Sequence, residues 1–334
     1  MAVLTAGIAT VSAATASALP VGSPQSLRQA RAADAFSRSA EMERWSVDFV
    51  NPRTRAHFNV TVFQRGELSG RSAYGEVFDS TWLRFRRTEL GLMVEPASGD
   101  RLEWRGTELV ALTRAGRRWR VRVEAEGVRV DAMLTRVRAG ITAERWQLPP
   151  WYYRRPGTLS WALPVATSRA SGRMELETHE RNLRGWRASI EHAWGFQPLG
   201  PTNYDNWETA VVHTRRGGAW LLQGVNRADY LTGPGARDAF WLGVRGQVGR
   251  GGVRICRPRL QRQAWLDKRG RTTRETRRTE CRSTATTFRN PLDWSFHAAY
   301  GDHNVVTYPA TTQGGGTGWV RWIGHGLPFG GIPR

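Results

Sequence analysis

Residues 185–196 read GWRASIEHAWGF. Counting by two from Trp186 collects Ala188, Ile190, His192, Trp194 and Phe196, and leaves Arg187, Ser189, Glu191 and Ala193 between them. A strand sends successive side chains to opposite faces. The stretch therefore predicts a strand whose apolar face carries a single imidazole. The same period of two recurs in RWSVDFV (44–50), HFNVTVFQ (57–64), STWLRFRR (80–87), DRLEWRGTELVALT (100–113) and RWRVRVEAEGVRVDAMLTRV (118–137). It returns in RMELETHE (173–180), WETAVVHT (207–214), AWLLQGVN (219–226) and AFWLGVRGQV (239–248). Short alternating runs separated by Gly, Asn and Asp indicate a β-meander, closed or sandwiched. The expectation is an all-β chain of two tandem barrels. LPPWYYRRPGTLSWALP (148–164) interrupts the pattern with four prolines and is expected to connect the halves. That gives a leader and polar, helix-capable linker over 1–44, one β-domain over 45–150 and a second over 151–334.

A length of 334 residues allows a substantial core. With 40% hydrophobic and 23% charged residues the chain reads as globular rather than disordered. Its net charge of +20 is an arginine excess, since Lys268 is the sole lysine. Such a skew reflects codon usage as readily as function. In RRWRVRVEAEGVRV (117–130) arginine alternates with Trp119, Val121 and Val123, the pattern of a strand with one solvated face. A basic surface attracts anionic polymers at low salt, but no nucleic-acid-binding signature accompanies it. The densest basic run, RGRTTRETRRTECR (269–282), is diluted by Glu275 and Glu280 and reads as a solvated hairpin. No nucleic-acid partner is expected, and the chain is expected to be a monomer.

The N-terminal MAVLTAGIATVSAATASALP is small and apolar, with Ala16-Ser17-Ala18 as a cleavage-like site but no basic n-region. It predicts a secreted or envelope protein, cytoplasmic if the leader is retained. Mostly Ala and Thr, it is a poor membrane span, and no span is expected elsewhere. The two cysteines suit an oxidising compartment. If Lys268-Arg269 form a two-residue turn, residues whose numbers sum to 537 oppose each other, which places Cys256 against Cys281 at a disulfide-compatible pair.

Familiar catalytic and phosphate-binding motifs are missing from the sequence: G-x-S-x-G, H-E-x-x-H, a Walker loop and G-x-G-x-x-G before a helix. HAAYGDH (297–303) brings His297, Asp302 and His303 together without standard metal-ligand spacing, and reads as a solvated loop. No metal and no cofactor are expected. His192 has two readings. It is a core histidine satisfied by a backbone carbonyl, or a proton-carrying group in a cavity wall lined by Trp186 and Trp194. Sixteen tryptophans, spread from Trp45 to Trp322, fit either large core filler or a wide apolar cavity.

IEHAWGF, preceded by SGRMELETHERNLRGWRAS, resembles the D/E-H-x-W-G signature of the hydroxyneurosporene synthase (carotenoid 1,2-hydratase) and AttH-type double lipocalin-like family. WYYRRPG (151–157), with Tyr152 and Tyr153, is similar to that family's aromatic connection. The resemblance implies two lipocalin-like barrels and an apolar substrate, isoprenoid- or polyketide-like, that undergoes hydration or cyclisation, including [4+2] cyclisation. It assigns His192 and Trp194 to the H-x-W pair. The family's Tyr-x-Asp has no clean match; the strand GGAWLLQGVNRADY holds Trp220 instead, and NYDNWE supplies Tyr204, Asp205 and Glu208.

Protonating an alkene creates a carbocation, which needs a buried acid and aromatic faces. The acid candidates are His192 with Glu191, Tyr204, Asp205 and Glu208; the aromatic wall is Trp186, Trp194, Trp207 and Trp220, with Tyr152 and Tyr153. The rival readings are a secreted lipid carrier of the same fold and a basic protein binding an anionic polymer.

Overall fold

Where valine, tryptophan and arginine alternate, the chain forms strands with one dry face. In Arg118–Ala125, Trp119, Val121 and Val123 are buried while Arg118, Arg120 and Glu124 are exposed. The computed structural model describes residues 26–36, 42–65, 73–79, 84–90, 93–94, 100–105, 109–148, 157–176, 179–196, 206–227, 240–256, 259–266, 272–281, 284–291, 296–300 and 303–324.

The chain opens with β1 (Ser26–Gln29), a 3-10 turn (Ala32–Phe36), β2 (Met42–Val50), β3 (His57–Arg65), β4 (Ala73–Asp79) and β5 (Arg84–Leu90). Next come β6 (Met93–Val94), β7 (Arg101–Arg105), β8 (Leu109–Ala115), β9 (Arg118–Ala125), β10 (Val128–Arg138) and β11 (Ile141–Leu148). β12 (Gly157–Leu176), β13 (His179–Asn182) and β14 (Arg187–Phe196) complete a first, 14-stranded sheet. The second, 10-stranded sheet holds β15 (Asn206–His213), β16 (Ala219–Arg227), β17 (Phe240–Gly249), β18 (Gly252–Cys256) and β19 (Arg259–Leu266). It ends with β20 (Thr272–Cys281), β21 (Thr284–Pro291), β22 (Phe296–Tyr300), β23 (His303–Thr312) and β24 (Thr317–Gly324). The architecture is all-β, in two successive antiparallel sheets.

The first sheet runs β5-β4-β3-β2-β14-β12-β10-β9-β8-β7-β6, with β1 joined to it through β11. Trp45 on β2 and Trp104 on β7 lie six ladder steps apart, roughly 29 Å in a flat sheet at about 4.8 Å per step. Their ring centroids are 4.9 Å apart. The sheet is therefore curled, and its concave side holds one core of Trp45, Phe49, Phe58, Trp104, Trp119 and Trp186. Bends in the ladder sit at the register shifts Thr135/Arg138 and Ala143/Trp146, where Arg136 and Arg145 take φ of 51°.

The second sheet runs β18-β17-β16-β15-β24-β23-β21-β20-β19, and it too curls. Buried Arg245 on β17 donates to the Thr279 carbonyl on β20 at 3.2 Å and to Thr286 Oγ1 on β21 at 2.5 Å, so strands near opposite ends of the order meet.

Three expectations are corrected here. The stretch 148–164, expected to be a connection, supplies the first part of β12, the longest strand, from Gly157 onward; Pro164 falls in the register shift between Ala162 and Val165, where a missing N–H costs no ladder bond. The linker expected over 21–44 contains β1, which pairs with β11, and a 3-10 turn rather than an α-helix. Of HAAYGDH, His297 to Tyr300 lie on β22 and His303 begins β23, with Tyr300 opposite His303, rather than in a loop; Asp302 lies outside the described residues.

The cysteine register is corrected as well. β19 and β20 pair with Arg259 opposite Glu280, two residues away from the expected sum, and Cys256 lies on β18 opposite Arg245. Cys256 and Cys281 are nevertheless joined, with Cα atoms 6.0 Å apart. The bridge ties edge strand β18 to β20 near the other edge, instead of stapling one hairpin.

Cys281→Ser should lower stability by about 3.5 kcal/mol, the chain-entropy value for a loop of this separation. Non-reduced peptide mapping should recover one Cys256–Cys281 crosslink. Two freely alkylated thiols in protein from an oxidising host would refute the pairing.

Candidate functional site

Two neighbours on β14 serve different compartments. His192 points into the concave core of the first sheet, and Glu191 points to its outer face, against the second sheet. They lie on opposite faces, as the alternation requires, and both are buried.

The His192 ring is a layer in an aromatic stack. Trp45 lies on one side at 4.6 Å with planes 8° apart, and Trp194 lies on the other at 4.7 Å and 19°. Trp45 is buried and Trp194 half-buried. His192 Nδ1 is 2.7 Å from the Asp34 carbonyl oxygen. A carbonyl only accepts, so Nδ1 carries the hydrogen and Nε2 is the nitrogen that binds or gives up a proton. The 3-10 turn that supplies this carbonyl also takes the Trp45 Nε1–H on the Ala35 carbonyl at 2.9 Å. Phe36 then stacks on Trp119 at 5.6 Å. The turn thus caps the core beside the stack.

On the other face, Glu191 and Asp48 share Arg321. Arg321 donates Nη1 to Glu191 Oε2 at 2.8 Å and Nη2 to Asp48 Oδ1 at 2.7 Å. Glu191 also accepts from Arg44 and, at 3.0 Å, from Thr209. Asp48 accepts from His57 Nε2 and Asn59 Nδ2, each at 2.8 Å. Thr61 donates to Asn59 Oδ1 at 2.8 Å, so the Ser46 hydroxyl donates to Thr61 at 2.9 Å. Arg44, Asp48, His57, Glu191 and Arg321 are each at most 2% exposed. Burial would raise the Asp48 carboxyl, but Arg321, His57 and Asn59 outweigh it and hold it below the ordinary carboxylate range. Burial pulls Arg44 down to about 10 against the opposing pull of Glu191, which leaves it cationic at neutral pH. Trp319 lies under Arg321 at 4.4 Å and faces His57 at 6.2 Å.

The expected site residues are distributed unevenly. His192 and Trp194 are brought together. Trp186 lies in the same core, packed with Leu183, Ala188 and Ile190. Glu191 is on the opposite face, with its carboxylate engaged by two arginines and Thr209. Trp220 is in the second sheet, under Arg245 at 4.5 Å. Trp207 and Glu208 are on β15, with side chains outside the described residues, and Tyr152, Tyr153, Tyr204 and Asp205 lie outside them altogether. Sequence reasoning missed Trp45, Asp34 and the ion network. Ser46, Asp48, Asn59 and Thr61 give the outer face of β2 and β3 small polar residues, which in the sequence read like a solvated face.

No family model matches the chain, and no curated relative matches it. Solved structures do. An AttH-type protein of Nitrosomonas europaea superposes with a TM-score of 0.53 at 14% identity, over 85% of this chain and 91% of that one. CghA with Sch210972 superposes at 0.55 and 11% identity, over 87% and 89%. Kievitone hydratase of Nectria haematococca gives 0.50 and 9% identity, over 93% and 94%. The fold is AttH-type and lipocalin-like. At these identities the likeness concerns the fold.

Arg321→Met leaves two buried carboxylates without their shared cation and should cost about 3–5 kcal/mol in urea unfolding, the usual penalty for breaking a buried pair. A loss below 1 kcal/mol would show that the network does not hold the sheets together.

His213, buried with Nδ1 on Thr167 Oγ1 at 3.0 Å, gives a second prediction. Burial and the nearby Arg187 push its pKa down to about 3. The unfolded chain therefore binds its proton first, and stability falls as pH drops from about 6.5 towards 3. His213→Asn should flatten the urea-midpoint profile across that window; an unchanged profile would remove His213 from the acid response.

Proposed function

We propose that this chain is an enzyme that transforms a large apolar substrate, an isoprenoid- or polyketide-like polyene, by acid-assisted hydration or cyclisation, with His192 as the proton carrier. The observation that carries this reading is the stack: one imidazole between two indole faces, with Nδ1–H held by a backbone carbonyl, which makes Nε2 the ring's other, proton-exchanging nitrogen. Imidazolium Nε2–H transfers its proton to an alkene carbon, and the carbon–carbon π pair forms the new C–H bond. The cation left on the neighbouring carbon is taken by water or by a second alkene. The proton then lost returns to Nε2, for a net gain of one water in hydration and an isomer of equal mass in cyclisation. Trp45 and Trp194 stabilise cationic charge through their ring faces. Tyr204, Asp205 and Glu208, which follow β14 in the chain, are the candidates for a second proton-carrying group. Among neighbours of the same fold, one is a hydratase and another was crystallised with Sch210972.

The second reading, a lipid carrier, is favoured by the nature of the Nδ1 partner, a backbone carbonyl rather than a carboxylate. The two readings diverge at His192→Phe, which keeps the size and apolarity of the wall. Acyclic isoprenoid polyenes are incubated with the protein, and products are followed by mass for a gain of water and by chromatography for isomers. Diphenylhexatriene fluorescence reports binding. Catalysis predicts retained binding with turnover lower by about two orders of magnitude or more. Full turnover by the folded variant would reject His192, and binding with no turnover by either protein would establish the carrier. Diphenylhexatriene affinity should also survive high salt, since apolar burial drives it; a collapse with salt would favour the anionic-polymer reading.

A further inference from the structure

Asp34 lies in an Ala-rich segment that nothing in the sequence marks as functional, yet it is buried and its carboxylate is saturated. Arg28 clamps it with a fork, Nη1 to Oδ2 at 2.8 Å and Nη2 to Oδ1 at 2.7 Å. Thr142 Oγ1 donates to Oδ2 at 2.6 Å, and the Arg31 amide donates to the same oxygen at 2.7 Å. The Arg31 contact closes the turn on itself, alongside the 3.1 Å bond from the Asp34 amide to the Arg31 carbonyl. Burial would raise the Asp34 carboxyl, but the Arg28 fork, Thr142 and the Arg31 amide overcome it and keep it below the usual range. The carboxylate therefore stays ionised and clamped at neutral pH. The same residue's carbonyl holds His192 Nδ1–H, and the next carbonyl holds the Trp45 indole.

From this geometry we propose that Asp34 is the positioning residue of the His192 site: its side-chain clamp holds the carbonyl that fixes the imidazole tautomer and ring plane. Without the clamp, the turn keeps β1, the Ala35–Trp45 bond and the Phe36–Trp119 stack, but nothing on the Asp34 side chain then holds its own carbonyl in line with the ring. The neutral imidazole then loses its reason to keep hydrogen on Nδ1, and Nε2 is no longer aimed by its partner. The effect on turnover rests on the catalytic reading of His192; the effect on the tautomer does not.

The test is two-bond ¹H–¹⁵N correlation of the histidine rings in the full chain, with the His192 signals assigned by their loss in His192→Phe. Wild type should show His192 as the Nδ1–H tautomer. Asp34→Ala, folded by its melting curve, should shift His192 to a mixture of tautomers, and turnover should fall about 10- to 100-fold, the scale for removing a residue that orients a ligand or catalytic group. Arg28→Gln removes the fork from a partly exposed side chain and carries the same test where Asp34→Ala does not fold. A wild-type tautomer in either folded variant overturns the proposal whatever the turnover. A changed tautomer with unchanged turnover upholds the positioning role and instead rejects His192 as proton carrier.

Discussion

A buried guanidinium bridges the two sheets of this molecule, beside the Thr209–Glu191 and His213–Thr167 bonds and an apolar layer that includes Val50, Leu163, Leu221 and Trp319. Arg321 comes from β24, near the end of the chain, and its two nitrogens reach carboxylates on β2 and β14 of the first sheet. Removing four charges from water costs several kcal/mol per ion, and their mutual attraction offsets this only when the lone pairs are also hydrogen-bonded. Here the carboxylates take bonds from Arg44, Arg321, Thr209, His57 and Asn59. A lysine could not replace Arg321, because the bridge uses a planar fork with two donors aimed at different acceptors. The apolar contacts of the same interface, Leu163, Ala166 and Ala193 with Val211, Leu221 and Trp319, hold the sheets together but by themselves tolerate sliding. A fork between two fixed carboxylates specifies one register of β24 against β2 and β14.

That constraint bears on the putting in place of His192, since Glu191 and His192 are consecutive on β14. The ion network fixes the strand from its outer face, and the aromatic stack is built on its inner face. Rotation of β14 about its own axis would break the Glu191 contacts and the Trp45–His192–Trp194 stack together. The 3-10 turn adds a third restraint from the end of the core. The imidazole is thus positioned by its own strand and by a separate segment, each anchored by its own arginine–carboxylate pair.

How much of this was legible follows from what alternation encodes. It reports which face of a strand is dry, so β2, β3, β9 and β14 could be read directly, with the two-sheet, all-β architecture. It does not report whether the polar face meets water or a second sheet. In RWSVDFV, Arg44, Ser46 and Asp48 have the spacing of a wet face, and the residue that covers them, Arg321, is 273 positions from Asp48. The arginine excess also hid Arg44 and Arg321 among many solvated ones. For the cysteines, a hairpin symmetry suggested the pair, while the structure makes the bond between strands near opposite edges of a curled sheet. Asp34 could not have been found, since its role is exercised largely through a main-chain carbonyl.

On the proposed chemistry, the choice of imidazole over a carboxylic acid has a physical reason. A carboxylic acid that protonates an alkene creates two charges from none, an ion pair in a dry core. An imidazolium that does so passes its single charge to carbon, and the number of charges in the low-dielectric site stays constant. The costly part moves to the earlier step, when the ring takes up a proton, and there the indoles of Trp45 and Trp194 contribute through their negative faces. A histidine between two tryptophans suits a reaction in which one positive charge is handed from ring to substrate and back. It suits much less a reaction that develops an oxyanion, which calls for an array of preorganised N–H donors rather than an aromatic sandwich.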